Sequence, residues 1–420
     1  MPEPFTEPLL LQTDAPVRTL PHVPWMDIAG VRAVVWALGR EHVRFVGGCV
    51  RDLLLGRTSL DVDMATDLPP TESLLRLTNA SIRVKPIGIE HGTVIAFTST
   101  GQFEITTLRR DVETDGRHAT VAFTDDWVED AQRRDFTMNA LSVDPDGNLF
   151  DPCGGLTDLE AGLVRFIGDP DQRIAEDALR LLRFFRFSAW YSRAGLDREG
   201  LAAAACNADK LEILSGERLS AELQRLLQAP DPTVAVEAMG RHNILQALTS
   251  LAIQPRPLRR LVALEQSHGM PPAPLTRLAA MLPGAETDYT VLAERLRFSK
   301  AETAKFKTLA RPLPDLGADA AGIRRALYST GDRDRYRQLA LLALADGEPG
   351  HLDQRLQIAA DWPWPKFPVG GFDLVEIGVK PGPHIGQILR VVEDWWIRRD
   401  FAPDRAACLA AVQKSLDPTT

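Results

Sequence analysis

Asp61 and Asp63 stand two apart in the run "SLDVDMAT". Alternate residues of an extended chain share a face, so both carboxylates project to the same side. Two carboxylates placed so repel each other unless a cation lies between them. The chemistry this pattern supports is a divalent-metal site that holds the triphosphate of a nucleotide and lowers the pKa of an attacking hydroxyl. A solvated strand end would carry the same two letters, and what separates the readings is the segment just before. "FVGGCVRDLLLG" at 45–56 reads as a strand, the glycine pair Gly47–Gly48 and a helix. That corner presents backbone N–H groups and the positive end of a helix where glycines let a ligand approach, which suits phosphate. Arg51, one turn into the helix, adds a charged fork for the same anion. A third carboxylate is usual in such sites; Glu104 in "QFEITTL" has the strand context for it, with Glu90 and Asp111 as alternatives.

Two further clusters carry charge in patterns that could serve the same chemistry. In "QRRDFTMNALSVD" at 132–144, Arg134 is placed to bind phosphate or sugar, while Asp135 and Asn139 are of the type that fixes loops by hydrogen bonds. Arg133 and Arg134 also read as a solvated pair. In "RIAEDALRLLRFFRF", Asp177, Arg180, Arg183 and Arg186 recur at intervals of three. On a continuous helix they form a polar arc, with Leu181, Leu182 and Phe185 opposite. Asp177 accepts and Arg180 donates, so this neighbouring pair could read the edge of a base as a complementary strand would. Arg183 and Arg186 suit phosphate or RNA backbone. The plainer alternative is an i,i+3 ion pair facing water.

The elements that must position these groups fall into two regimes. Up to about residue 150, short β-branched runs ("VRFVGG", "LDVDMAT", "GTVIAFT", "QFEITTL", "ALSVD") alternate with the helix candidates "AGVRAVVWALGR", "VRDLLLG" and "PTESLLRLT". This predicts an α/β domain on one mixed sheet. From about 160 onward the periodicity is helical, cut by Pro- and Gly-containing breaks such as "QAPDPT" and "HGMPPAP". An α/β head followed by a long helical remainder is therefore expected.

Composition excludes several classes. A chain of 420 residues with 45% hydrophobic and 25% charged residues is neither disordered nor fibrous. Its formal charge of −9 argues against non-specific coating of nucleic acid, so any RNA contact must use local basic patches. The N-terminus lacks a basic region and an apolar run of membrane length, so a cytoplasmic location is expected. Cys49, Cys153, Cys206 and Cys408 are too scattered for a disulfide framework or a zinc site.

Together, "GGCVRDLLLGRTSLDVDMAT", "DGRH", "RRDFTMNAL", "FDPCGGLTDLEAGLVRFIGDP" and "RIAEDALRLLRFFRF" resemble, in order, the motifs of the class II tRNA nucleotidyltransferases, the CCA-adding enzymes, and of their bacterial poly(A) polymerase relatives. The resemblance covers at least residues 43–190, and continues more weakly in "LSGERLSAELQRLL" and "GGFDLVEIGVKPGPHIGQIL". It implies a polymerase-β-like nucleotidyltransferase head followed by an all-α neck, body and tail. The corresponding segments are an N-terminal extension at 1–25, the palm at 26–150, the neck at 151–228, the body at 229–315 and a tRNA-binding tail at 316–420. It implies Mg2+ held by Asp61 and Asp63, with Gly48 and Arg51 contacting the triphosphate and Arg134 a nucleotide. Asp177 and Arg180 fall on the protein template that selects CTP and then ATP, and Arg183 and Arg186 complete the pocket. The partner implied is the acceptor arm and 3′ end of tRNA.

Ala178 departs from the family's frequent proline and Met138 from its common isoleucine. Asp115, Gly116, Arg117 and His118 lie in a segment resembling the flexible loop that full CCA enzymes keep and CC-adding ones lack. This favours full CCA addition over a poly(A) polymerase or a CC- or A-restricted enzyme. A catalytically inactive tRNA-binding protein would break the metal pair or the template pair, and both are intact in the sequence. The tryptophans at 362, 364, 395 and 396 are expected to be packing anchors of the tail, and Arg256, Arg259 and Arg260 form a small basic patch.

Overall fold

The computed structural model describes residues 13–58, 61–88, 90, 92–114, 119–251, 253–282, 286–309, 319–345 and 352–416. Within the α/β part the chain runs β1 (Pro16–Thr19), α1 (Ala29–Leu38), β2 (Val43–Val46), α2 (Gly48–Leu54), β3 (Asp63–Thr66), α3 (Pro70–Asn79), β4 (Arg83–Pro86), β5 (Thr93–Thr98) and β6 (Gly101–Thr107). The hairpin strands β7 (Arg109–Thr114) and β8 (Ala119–Phe123) follow, then α4 (Trp127–Gln132), β9 (Ser142–Val143) and β10 (Asn148–Phe150). Eight strands make one sheet in the order β1-β10-β9-β2-β3-β6-β5-β4, and β7 and β8 pair separately. The sheet is mixed as expected: β3 and β6 run parallel, while the other paired neighbours are antiparallel. A parallel pair needs a long crossover, and α3 with β4 and β5 supplies it.

The central strands are buried on both faces. In β2 and β3, Val43, Phe45, Met64 and Ala65 are buried, and α1 covers one face with Val31, Val34, Val35 and Leu38, all at 0% exposure. Pro70 opens α3 at its first turn, where a missing N–H costs nothing. Two elements were not foreseen. β1, in the stretch expected to be an extension, adds an edge strand against β10, and Trp25 behind it is buried against Phe45. The segment expected as a loop between palm strands is built on the β7–β8 hairpin; its residues 115–118 lie outside those described.

The helical part begins with α5 (Gly155–Ala161), α6 (Pro170–Glu176), α7 (Leu179–Tyr191), α8 (Arg198–Cys206), α9 (Gly216–Leu227), α10 (Thr233–Arg241) and α11 (Ile244–Thr249). Gly155 is required by close approach, since a Cβ there would lie 2.1 Å from the Thr137 carbonyl oxygen. An aromatic stack of Phe136, Phe166, Phe184 and Phe187 joins the 136–166 region to α7.

By compactness the chain divides into a unit of residues 1–255 with 292–298 and a unit of 256–291 with 299–420, a cut that falls inside the segment expected as body. The second unit is helical, with its longest helix at His384–Arg398. Trp396 is buried there and contacts Tyr328 and Phe401, while Trp362 packs on Phe401 and Trp364 stacks on Tyr328. Trp396 is a buried packing anchor, as expected, while Trp362 and Trp364 pack on neighbouring rings with Trp364 40% exposed. Among the described residues no helix is long and apolar enough to cross a membrane.

Candidate active site

The acidic corner is built by β3 and β6. Asp63 opens β3 and pairs in register with Glu104 on β6, so the two carboxylates sit side by side on one face. Asp61 lies just outside the ladder, and the exposure pattern of Asp61, Val62 and Asp63 alternates out, in and half-out, as period two demands. Of the candidates for a third carboxylate, Glu104 is the one brought to Asp63; Glu90 sits in the β4–β5 connection and the Asp111 side chain lies outside the described residues. Burial, then the charges of Asp61 and Glu104, push the Asp63 carboxyl up to about 6, against the pull of Arg134. The chain thus gathers three carboxylates at one corner with Arg134 beside them, an arrangement of oxygen donors that fits a divalent cation. Among the described residues no group of three or more His, Cys, Asp or Glu side chains is placed to hold a metal ion by itself. One or two carboxylates completed by phosphate oxygens and water are the kind of donor set a hard cation takes.

Asp63, Glu104, Arg109, Asp130, Arg133 and Arg134 line a cavity of roughly 370 Å³. A second cavity of roughly 640 Å³ shares Arg109, Arg133 and Arg134 with it and adds Gly47, Gly48, Arg51, Asp177, Arg180 and Arg183. The glycine corner is as the sequence predicts: β2 ends at Val46, α2 starts at Gly48, and Gly47 adopts φ +71°, which favours glycine. Arg51 is only 6% exposed, and its Nη1 donates to Asn139 Oδ1 at 2.8 Å.

Sequence reasoning missed the residue that organises the shared wall. Asp130, 3% exposed on α4, accepts from Arg133 Nε at 2.8 Å, from Arg134 Nη2 at 2.8 Å and from the Arg109 backbone N–H at 3.3 Å. Burial alone would raise its carboxyl, but Arg134 and Arg133 outweigh that and hold it below the usual carboxylate range. Arg133 and Arg134 are therefore not a solvated pair. Their i,i+3 and i,i+4 spacing from Asp130 was the signal that could have revealed this.

The selecting segment departs from expectation. The run 175–191 is not one helix: α6 stops at Glu176, Asp177 is extended (φ −151°, ψ 107°), and α7 begins at Leu179. Asp177 Oδ1 accepts from the Leu179 N–H at 3.1 Å, a local side-chain-to-backbone bond of the kind that competes with helix continuation. Asp177 and Arg180 thus share no helical arc, although both line the larger cavity. Asp177 takes Arg218 Nη2 from α9, at 3.0 and 2.8 Å to its two oxygens. Arg180 pairs with Glu176 and donates to the Arg133 carbonyl at 3.3 Å.

Arg183 and Arg186 do face away from Leu181, Leu182 and Phe185, but each has a carboxylate partner. Arg183 Nε donates to Asp135 Oδ2 at 2.6 Å, and Asn139 donates to Oδ1 of the same carboxylate at 3.0 Å, so Asn139 links Arg51 to Arg183 through Asp135. Burial opposes ionisation of Asp135, yet Arg183, Asn139 and the Phe136 N–H hold its carboxyl below the usual range. Arg186 pairs with Glu222 on α9 at 2.7 Å and does not line the cavity. Asp115, Gly116, Arg117 and His118 lie outside the described residues.

Comparison with known proteins agrees with this architecture. Residues 43–165 match the poly A polymerase head domain, and residues 196–252 match the probable RNA and SrmB-binding site of polymerase A. The chain is 34% identical over 407 residues to the mitochondrial CCA tRNA nucleotidyltransferase 1 of Mus musculus, covering 92% of this chain and 90% of that one. It is 33% identical over 356 residues to the CCA-adding enzyme of Streptococcus gordonii, covering 83% and 87%. Its fold is similar to that of the Bacillus stearothermophilus CCA-adding enzyme in complex with CTP, with a TM-score of 0.75 and 25% identity over 94% of this chain and 98% of that one. The Thermotoga maritima CCA-adding enzyme complexed with tRNA shares the fold at a TM-score of 0.67 and 20% identity, covering 92% and 95%.

Proposed function

The chain belongs to the CCA-adding tRNA nucleotidyltransferases, and from that premise we propose that it adds C, C and A from CTP and ATP to the 3′ end of tRNA, with the residues of the two joined cavities in the following roles. The single observation that carries the assignment is the shared arginine wall: Arg109, Arg133 and Arg134 border both the acidic corner and the cavity of the selecting segment. A nucleotide spanning both would put its phosphates at the arginines, its α-phosphate toward the carboxylates and its base toward Asp177 and Arg180.

In this reading the Gly47–Gly48 corner and Arg51 receive the triphosphate, and Arg134, held by Asp130, contacts the nucleotide at the junction. Asp61 and Asp63 hold a divalent cation, which we take to be Mg2+, and Glu104 flanks them. When bound, that ion supplies neutralisation of phosphate charge and a lowered pKa for the tRNA 3′-hydroxyl. Asp177 accepts from an exocyclic amino group and Arg180 donates to the ring, so a base with the opposite pattern leaves buried groups unpaired. Arg218 holds the Asp177 carboxylate in place through both of its oxygens. Arg183 completes the pocket floor through Asp135, and Arg186 braces α7 on α9. Residues 26–150 act as the palm, 151–228 as the neck, 229–315 as the body and 316–420 as the tail that holds tRNA, in the cytoplasm.

The test is incorporation by the purified protein with Mg2+ on tRNA lacking its 3′ CCA and on tRNA ending in CC, with CTP and ATP separately and together. Addition of two C and one A followed by arrest is expected. A long A tail, or a stop after CC, would reassign the protein within its relatives.

A further inference from the structure

We infer that Tyr191, through a stack on the Arg51 guanidinium, is a positioning residue that aims Arg51 into the glycine corner and ties that corner to the selecting helix. The inference rests on the proposed role of Arg51 in binding triphosphate.

Arg51 is clamped on three sides. Its Nε donates to Asp52 Oδ1 at 3.2 Å and its Nη1 to Asn139 Oδ1 at 2.8 Å, while the guanidinium carbon lies 4.2 Å from the centroid of the Tyr191 ring. The remaining nitrogen, Nη2, faces the corner: a Cβ placed on Gly48 would lie 3.5 Å from it. The Tyr191 hydroxyl donates to Asp52 Oδ1 at 3.3 Å, the same oxygen that accepts from Arg51 Nε. Ring, carboxylate and guanidinium therefore form a closed triangle between α2 and α7. A guanidinium is planar, so an aromatic face against it fixes the plane in which its nitrogens lie, which hydrogen bonds from one edge alone leave free to tilt.

The stack extends along α7. Phe187, one turn before Tyr191, lies nearly parallel to it at 5.8 Å and 28°, and has Arg183 and Arg186 within 5.3 and 4.3 Å of its centroid. Arg57 adds a second cation to the Tyr191 ring at 5.1 Å. Two rings on one face of one helix thus touch four arginines, two from the head corner and two from α7 itself. Tyr191 ends the helix that begins beside Asp177. Twelve residues of helix, about 18 Å, separate the base-reading end of α7 from its triphosphate-aiming end. Ordinary core packing accounts for Phe187, which is buried. The half-buried Tyr191 differs in that it meets two guanidinium groups, the Asp52 carboxylate and the Phe187 ring.

The test uses the full chain and two ligands, CTP and inorganic tripolyphosphate, with dissociation constants measured by calorimetry and KM and kcat on tRNA lacking CCA. Tyr191→Leu and Tyr191→Met keep bulk without a π face, so that either one, if folded by circular dichroism, reports the stack. Both are expected to weaken both ligands by about tenfold, the order set by a desolvated cation–π contact. The loss should appear in KM, with kcat within about twofold of wild type, and Tyr191→Phe should restore binding to within about twofold, because the phenyl ring keeps the same contact. Arg51→Ala is run in parallel. If it binds tripolyphosphate like wild type, the assignment of Arg51 fails. If it does not, while the Leu and Met variants bind like wild type, the positioning role of Tyr191 alone is overturned. A Phe variant as weak as the Leu variant would also overturn it, since the hydroxyl bond to Asp52 rather than the ring would then be the cause.

Discussion

Replacing Asp63 by Asn should make the protein more stable while removing its activity. In the folded chain Asp63 is pushed up from 3.8 to about 6 by burial and by the charges of Asp61 and Glu104. The folded state thus binds the proton more tightly than the unfolded one between those two values. Below about pH 4 the side chain is neutral in both states, and Asn, its neutral isostere, should change little. As pH rises through 6 the wild type must ionise Asp63 against its neighbours, and stability is lost relative to Asn. Fully expressed, the displacement corresponds to about 3 kcal/mol; solvent screening at a half-buried site reduces this to about 1–2 kcal/mol. For a unit of this size that is a rise of roughly 3–6 °C in melting temperature. The assay is thermal unfolding of both proteins in EDTA from pH 4.5 to 7.5, with incorporation measured separately. The Asn variant should gain stability progressively between about pH 4 and pH 6, hold that gain up to pH 7.5, and lose activity by roughly 10²–10³-fold or more. Added Mg2+ with CTP should narrow the gap by stabilising the wild type alone. A gain that is the same at every pH, or no gain at pH 7.5, would refute the claim that like-charge crowding sets this site.

Arg218→Ala leaves Asp177 without its bidentate partner and should relax discrimination against UTP and GTP by about tenfold, read as misincorporation in competition with CTP and ATP. Gly155→Ala forces a Cβ to within 2.1 Å of the Thr137 carbonyl; it should cost about 3 kcal/mol or more and lower the melting temperature without changing KM in whatever protein remains folded. Neutralising Arg256, Arg259 and Arg260 together should reduce the slope of log affinity for tRNA against log salt by about 2 if the patch meets the RNA backbone; an unchanged slope rejects that contact.

Much of the candidate site could be read from local spacing. The glycine pair, Arg51 and the Asp61–Asp63 alternation each express a rule that operates over a few residues, and the fold keeps them as written. Glu104 was legible as a strand residue, but only the parallel register of β3 and β6 selects it over Glu90. What could not be read is pairing over distance. Arg183 meets Asp135 across 48 positions and Asp177 meets Arg218 across 41, and no periodicity encodes such partners. The break at Asp177 was hidden because Ala178 occupies the place where a proline would have announced it. The helical pattern on both sides then read as continuous, and the extended Asp177, with its side chain bonded to the Leu179 N–H, decided otherwise. β1 escaped notice because four residues with every side chain exposed carry no alternation.

The pairing of Asp63 with Glu104 across two parallel strands also gives the acidic corner a parity. Buried Phe103 and Ile105 flank Glu104 on the opposite face. One residue inserted between Gly101 and Glu104, with the register held from the Thr98–Gly101 end, would slide Glu104 past Asp63, turn it into the core and present an apolar side chain to Asp63; two would restore the original sense. Length variation in this strand is therefore filtered by whether it is odd or even before its size matters at all. The β5–β6 connection, where Thr98 and Gly101 close the hairpin, is the place where an odd insertion can be absorbed without reaching the carboxylates.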